Sequence, residues 1–315
     1  MTTNQPTNPF ILTFGSCGWD RKFFKYKDGR TELILEEEGR KNSHQAIAAL
    51  RAGAGRSMLI SYVGDDEIGR KCLESLNQSG IDTRYIQVIK GEATEINELY
   101  VDEVTRDYSL KRGPAELSQR YFVNDVEKYK EWILKADFVI LVSKQPKDFL
   151  ETIINFCYEN NIPTVMTISH AKFDVDNKED LKNLRKCTVI AANFEEAERD
   201  TKKKTPEEML GVLPNMIVTK GPDGVWFKDE KGRICRQSAV PPIPPDKIID
   251  ADGSGDTFIG NFIVFRTEGK SISDSMRLAV CAATINASRM GVLHSMPSRK
   301  ETETLYRKRF KDAQK

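Results

Sequence analysis

An α/β fold with a mainly parallel central sheet is what this 315-residue sequence predicts. Three observations lead there. Short apolar runs recur along the chain with helix-length segments between them, the pattern of parallel strands covered on both faces. Two strand-like stretches near the start are too polar for a core and are joined by Asp28-Gly29. A late glycine-rich turn, Asp250-Ala-Asp252-Gly253-Ser254-Gly255-Asp256-Thr-Phe, opens an apolar helix.

The elements follow in order. Residues 10–15 read as a buried first strand. Residues 22–26 and 31–36 are extended, and Gly29 supplies the positive φ of a hairpin turn between them. They read as a ribbon standing off the main body. Residues 43–50 form a helix capped by Asn42 or Ser43 and closed near Gly53. A second buried strand covers 57–63, Gly64-Asp65-Asp66 turns the chain, and a helix runs over 67–77. Residues 84–111 alternate in strand fashion, mainly at 97–102 and 108–111, and would complete the stand-off sheet. Beyond residue 122, helices at 124–135 and 147–160 separate strands at 137–142 and 163–168, with further strands at 187–191 and 216–219. Pro241, Pro242, Pro244 and Pro245 read as a stiff connector, and 247–249 as a short extended approach to the glycine turn. No repeat or low-complexity linker interrupts the chain. One domain over 1–315 is expected, with lid strands from 21–38 and 92–113.

Composition narrows the function. A net charge of +1, 30% charged and 39% hydrophobic residues suit a globular enzyme and give no electrostatic case for nucleic acid or an anionic membrane. No apolar run approaches the roughly 20 residues of a membrane span, and Met1 to Pro9 lacks the regions of a signal peptide. Six cysteines are scattered without a Cys-x-x-Cys pair, which points to reduced thiols in a cytoplasmic protein. Three histidines stand too far apart for a simple metal cluster.

The glycine turn carries the chemistry. A turn at a helix start leaves backbone N–H groups unpaired beside the positive end of the helix dipole, a site for phosphate or developing phosphoryl charge. A carboxylate there would repel a merely bound anion. It makes sense if Asp256 takes the proton of a hydroxyl attacking phosphorus. From the turn alone, an ordinary helix-start residue explains Asp256 equally well.

The order of motifs resembles the ribokinase-like (PfkB) family of carbohydrate and nucleoside kinases, from Gly15 to about Pro297. Asp250-x-x-Gly253-Ser254-Gly255-Asp256-Thr257-Phe258 is similar to the family's Asp-Thr-x-Gly-Ala-Gly-Asp-Thr-Phe. The resemblance implies a three-layer sandwich with a small β-sheet lid. It implies an anion hole from Gly253, Ser254 and Gly255, with Asp256 as general base. Ala192-Asn193-Phe-Glu-Glu196 is similar to the family's Asn-x-x-Glu, which places Asn193 and Glu196 near the phosphates of ATP, with Glu196 holding Mg²⁺ through water. Thr219-Lys-Gly221-Pro-Asp-Gly224 resembles the strand-end turn where the nucleotide lies on glycine backbone. Asn286 to Gly291 falls at the adenine pocket. Asp250, Asp252 through its carbonyl, and Ser295 are candidates for a monovalent cation such as K⁺.

The acceptor side is implied by Gly15-Ser-Cys-Gly-Trp-Asp20, whose carboxylate suits two sugar hydroxyls. Gly64-Asp65-Asp66-x-x-Gly69 is a structural landmark. The family's Gly-Gly-Lys-Gly-Ala-Asn appears as Gly39-Arg40-Lys41-Asn42-Ser43-His44. Gly39 and Lys41 remain, and His44 replaces a sugar-contacting Asn. Lys144 of Ser143-Lys-Gln-Pro146 aligns with a substrate-binding Glu. Arg40, Lys41, Lys144 and Arg112 raise the expectation of an acidic substrate beside that of a neutral sugar. Trp19, Phe23, Phe24 and Tyr26 keep a nucleoside or vitamin-type acceptor open. A catalytically silent metabolite-binding relative is the third alternative. The polar lid strands imply a homodimer.

Overall fold

A computed structural model of the chain describes residues 8–103, 108–113, 117, 120–169, 172–240 and 248–311. Residues 1–7, the proline connector at Pro241, Pro242, Pro244 and Pro245, Lys247 and the side chain of Arg112 lie outside the described residues.

The chain enters through β1 (Phe10–Phe14) and leaves the body as the hairpin β2 (Trp19–Lys25) and β3 (Thr31–Glu38), turned at Gly29 with φ of 87°. Then come α1 (Lys41–Ala52), β4 (Arg56–Gly64), α2 (Glu67–Gln78), β5 (Ile86–Ile89), β6 (Ile96–Asp102) and β7 (Tyr108–Arg112). A helix–strand alternation follows: α3 (Val123–Lys128), α4 (Lys130–Lys135), β8 (Phe138–Val142), α5 (Lys147–Glu159), β9 (Thr164–Thr167), α6 (Lys178–Lys186) and β10 (Val189–Asn193). It continues with α7 (Phe194–Thr201), α8 (Pro206–Val212) and β11 (Met216–Thr219). The hairpin β12 (Val225–Lys228) and β13 (Ile234–Gln237) precedes α9 (Ser254–Thr267), α10 (Ile272–Ala287) and α11 (Arg299–Tyr306).

Nine strands form the central sheet, in the order β13-β12-β11-β10-β9-β8-β1-β4-β5. From β11 to β5 every neighbouring pair is parallel, and only the pairs β11–β12 and β12–β13 are antiparallel. The inner strands are apolar on both faces because both are covered. Leu12, Leu141 and Met166 pack with Phe149 and Ile153 of α5 on one side. Ile11, Ile140 and Val165 pack with Phe262 and Ile263 of α9 on the other. This is the three-layer α/β sandwich expected.

The small sheet has the order β3-β2-β6-β7, with β2 and β6 parallel and the outer pairs antiparallel. Its aromatics pack on one another. Phe23 stacks on Tyr100 at 5.0 Å between centroids, and Phe24 meets Tyr26 edge-on at 5.0 Å.

Several boundaries differ from expectation. β5, inside the 84–111 stretch read as completing the stand-off sheet, instead extends the central sheet as a parallel partner of β4, with Ile86 buried. The helix expected over 124–135 breaks at Tyr129, whose φ of −106° closes α3 before α4 begins, while its buried ring packs into the core. α1 starts at Lys41, and its N-cap is Arg40 rather than Asn42 or Ser43. Those two residues are buried in its first turn. Residues 248 and 249 form no strand.

Candidate active site

In open α/β sheets, ligands bind beyond the carboxyl ends of the strands. At this edge the loops after β1, β9, β10 and β11 meet the starts of α1 and α9. Gly253, with φ of 71°, is the N-cap of the 14-residue helix α9. A Cβ on Gly253 would lie 2.2 Å from Val292 Cγ1, so only glycine admits the turn at this distance from Val292. A Cβ on Gly255 would meet nothing within 4 Å, so open space lies before that residue.

The backbone N–H groups of Gly255 and Asp256 have no partner among the described residues. They stand at the positive end of α9, where unpaired amides and the helix dipole favour an anion. The N–H of Ser254, expected in the same hole, is bonded to Ala251 O at 3.2 Å. Its hydroxyl donates to Asn286 Oδ1 at 2.9 Å, and Asn286 Nδ2 donates to the Ser295 hydroxyl. Asn286 is fully buried. It braces Ser254 from beneath and does not face the opening expected for adenine.

Asp256 is the third residue of α9. Gln45 Nε2 donates to its Oδ1 at 2.8 Å, and His44 Nδ1 lies 3.7 Å from its Oδ2. Both partners sit in the first turns of α1. The approach depends on Gly260, one turn along α9, where a Cβ would lie 2.6 Å from Ala48 Cβ and 2.6 Å from Gln45 O. The two helix backbones therefore touch.

His44 is buried, and Nε2 donates to Glu38 O at 2.9 Å. Burial opposes its charge, but the carboxylates of Asp256 and Glu38 outweigh that and push the imidazole up to about 10. Glu38 is fully buried with the Ser43 hydroxyl within 2.8 Å of both carboxylate oxygens. Burial pushes its carboxyl up to about 7, against the pull of His44, Ser43 and Arg40. His44, expected as a substrate contact, is thus committed to two carboxylates.

On the acceptor side, Arg40 Nη1 donates to Asp20 Oδ1 at 2.7 Å. A Cβ on Gly39 would lie 2.1 Å from the Asp20 carboxyl, so the glycine leaves Asp20 its place. Burial raises the Asp20 carboxyl above the usual range, and Arg40 only partly offsets this. Arg40 Nη2 lies 3.4 Å from Glu95, which Lys144 Nζ reaches at 3.3 Å. Asp20, Arg40, Glu95 and Lys144 therefore alternate in sign. Lys144 and Arg40 are balanced by carboxylates, which removes the basis for an acidic substrate at those two positions. Glu95, Glu38 and Gln45 escaped sequence reasoning: Glu95 and Gln45 act through partners remote in the chain, and Glu38 meets Ser43 and His44 only once β3 turns back into α1. The one available signal was Gln45, directly after His44 at the start of α1.

On the other side of the opening, Asn193 and Thr219 are register neighbours at the ends of β10 and β11. Asn193 Oδ1 accepts from Glu196 N at 2.7 Å, and Glu196 Oε2 accepts from Asn193 N at 3.0 Å, a capping box on α7. Lys41 Nζ lies 2.9 Å from Glu196 Oε1 and 3.1 Å from Ile168 O. Lys41, assigned to the substrate, thus reaches the nucleotide motif. Gly221 and Gly224 follow β11 with φ of 46° and 98°, and Gly221 faces open space.

Two of the three cation candidates, Asp250 and Ser295, have their side chains engaged within the protein. Asp250 Oδ2 holds Lys22 Nζ at 2.6 Å, and the Asp252 carboxylate lies 3.5 Å from the same ammonium. The Ser295 hydroxyl accepts from Asn286 and donates to Val292 O at 2.7 Å. Among the described residues, no cluster of three His, Cys, Asp or Glu side chains is arranged to hold a metal.

Comparison with known proteins follows the same outline. The family model described as pfkB family carbohydrate kinase matches residues 12–299. A ribokinase of Bacillus subtilis (strain 168) is 27% identical over 305 residues, covering 94% of this chain and 98% of its own. A ribokinase of Lactococcus lactis is 30% identical over 267 residues, 84% of each chain. The structure of Arabidopsis thaliana ribokinase complexed with ribose and ATP superposes with a TM-score of 0.79 at 20% identity, over 95% of this chain and 99% of that one.

Proposed function

Because the chain belongs to the pfkB family of carbohydrate kinases, phosphotransferases with an alcohol acceptor, we propose that it transfers the γ-phosphoryl group of ATP to a primary hydroxyl of a small neutral sugar or sugar derivative. One observation carries this reading: the Asp256 carboxylate stands beside the amides of Gly255 and Asp256 at the start of α9, which have no partner among the described residues. The acceptor hydroxyl passes its proton to Asp256 as it attacks phosphorus. The amides and the helix dipole face the charge that develops on the transferred group.

Gln45 and His44 aim the carboxylate. Asp20 accepts hydrogen bonds from acceptor hydroxyls. Asn193, Thr219, Gly221 and Gly224 frame the nucleotide, and Lys41 spans the two substrates. Glu196 fits a magnesium role through retained water, since it stands at the strand ends and each oxygen keeps a lone pair beyond its bonds to Lys41 and Asn193. When bound, Mg²⁺ would offset negative charge on the phosphates of ATP.

A neutral acceptor is supported by the pairing of Arg40 with Asp20 and of Lys144 with Glu95. A sugar is favoured over a nucleoside because Phe23, Phe24 and Tyr26 pack within the small sheet. Exposed Leu33, Ile34 and Leu110 on that sheet support a homodimer through the lid. ADP release from ATP, measured against a panel of neutral sugars, sugar acids and nucleosides, tests the reading. Turnover confined to neutral sugars is expected. Turnover with nucleosides or sugar acids alone, or with no panel member, would reject it.

A further inference from the structure

Two lid residues reach over the loops that frame the anion site. Lys22 of β2 and Glu37 of β3 lie on the face of the small sheet turned toward α9. Glu37 accepts from Val292 N at 2.8 Å and Leu293 N at 3.0 Å. Lys22 Nζ lies 2.6 Å from Asp250 Oδ2 and 3.5 Å from Asp252 Oδ2. The side chains of Lys22 and Asp250 are only 10% and 13% exposed. Asp250 Oδ2 also accepts from Gly291 N at 3.2 Å, and Asp250 Oδ1 from Asp252 N at 3.1 Å. The carboxylate thus ties the loop that carries the Gly253 turn to the loop at Gly291.

A nearly buried carboxylate three residues before an anion-binding turn needs a counter-charge. Left bare, it would repel the phosphate that the turn attracts. Solvent can supply a monovalent cation, or the chain can supply its own. The residues do not fit a solvent ion. Asp250 already holds the Lys22 ammonium at 2.6 Å, so its charge is matched from within the chain where a solvent ion would otherwise be needed. Burial disfavours the charge on Lys22, yet the carboxylates of Asp252, Asp250 and Glu37 raise its basicity, so the ammonium stays charged.

We propose that the Lys22 ammonium is a tethered replacement for a bound monovalent cation, so that this chain binds ATP and transfers phosphate without K⁺. The ammonium arrives on a lid strand, so charge balance at the anion site is set when the lid is seated. Lys22 is a positioning residue, and its role rests on the kinase reading above.

The test compares the full chain in potassium chloride and in tetramethylammonium chloride at equal ionic strength, by calorimetric ATP binding and by turnover. The wild-type protein is expected to show the same ATP affinity and turnover in both salts. K22A, which opens room for an ion, is expected to lose about tenfold or more in ATP affinity in tetramethylammonium, because Asp250 is left charged and unpaired. Potassium or ammonium chloride should restore it. K22M keeps the bulk without the charge and should stay impaired in all three salts. Strong activation of the wild type by K⁺ overturns the proposal. So does a folded K22A that is unimpaired or not rescued, or a K22M that behaves as wild type. Should K22A fail to fold, the wild-type comparison decides alone. ATP binding in neither salt would reject the kinase reading itself, and the proposal with it.

Discussion

Gln45 and Asp256, 211 positions apart, are joined by a 2.8 Å hydrogen bond from the amide nitrogen of one to the carboxylate of the other. Gln45 is fully buried and also donates to the Thr167 hydroxyl at 3.1 Å, at the end of β9. The sheet thereby sets the angle of the proposed base. Replacing Gln45 by Leu removes a hydrogen bond to a charged group, a loss of about 1.5–3 kcal/mol where such bonds are made. Steady-state kinetics of Q45L should show kcat reduced by about tenfold or more, with the KM for ATP little changed.

Substitution of Asp256 by Asn keeps the shape and removes the proton acceptor. A general base contributes about 10²–10⁴ in rate. D256N should lose turnover in that range while calorimetry shows ATP binding largely intact. Full activity in D256N would show that the carboxylate takes no part in the chemistry.

The Glu38–His44 pair makes stability depend on pH. His44 holds its proton up to about 10 in the fold, against 6.5 for the ordinary group. Its contribution is fully present below pH 6.5 and is lost as pH rises through about 10. Glu38 is raised from 4.5 to about 7, so the folded state binds the extra proton and stability falls as pH rises through that window. Melting curves of the wild type should decline across both windows. E38Q should flatten the acid-side slope, and H44N the alkaline one.

At Gly260 there is no room for a methyl group, since a Cβ would meet Ala48 Cβ and Gln45 O at 2.6 Å. Overpacking of this kind costs about 1–3 kcal/mol. G260A should melt several degrees lower in calorimetry and lose turnover through displacement of Gln45. An unchanged melting temperature would mean that the two helices separate without cost.

Leu33 and Ile34 project exposed apolar surface from the small sheet. Light scattering of the intact chain should report a dimer, and the L33E/I34E double variant a monomer. A monomeric wild type would remove the lid-dimer proposal.

What the sequence revealed about the site was local in character. The Gly253-Ser-Gly-Asp256 turn, the Asn193–Glu196 capping box and Asp20 each announce themselves over a few residues, because their backbone geometry is written by their neighbours. Lys22, Gln45 and Glu95 do not. Lys22 meets Asp250 across 228 positions, and a shift of one residue along β2 would have turned it to the opposite face. The same reason hid the place of β5, since a four-residue strand with one buried isoleucine fits either sheet until its partner is known. The break at Tyr129 was hidden too, because 124–135 has no glycine or proline to mark it. The basic residues expected to attract an acid were counted one by one, whereas their carboxylate partners come from distant parts of the chain.

The contact of α1 with Gly260 also divides the first helix into two zones. Ala48 and Ala49, pressed against another backbone, admit almost no variation in size. Positions 41–45, one turn nearer the opening, carry the polar side chains of Lys, Asn, Ser, His and Gln. Change in acceptor preference, by natural drift or by laboratory selection, is therefore channelled into that single turn, and libraries aimed at new sugars gain little from randomising beyond it.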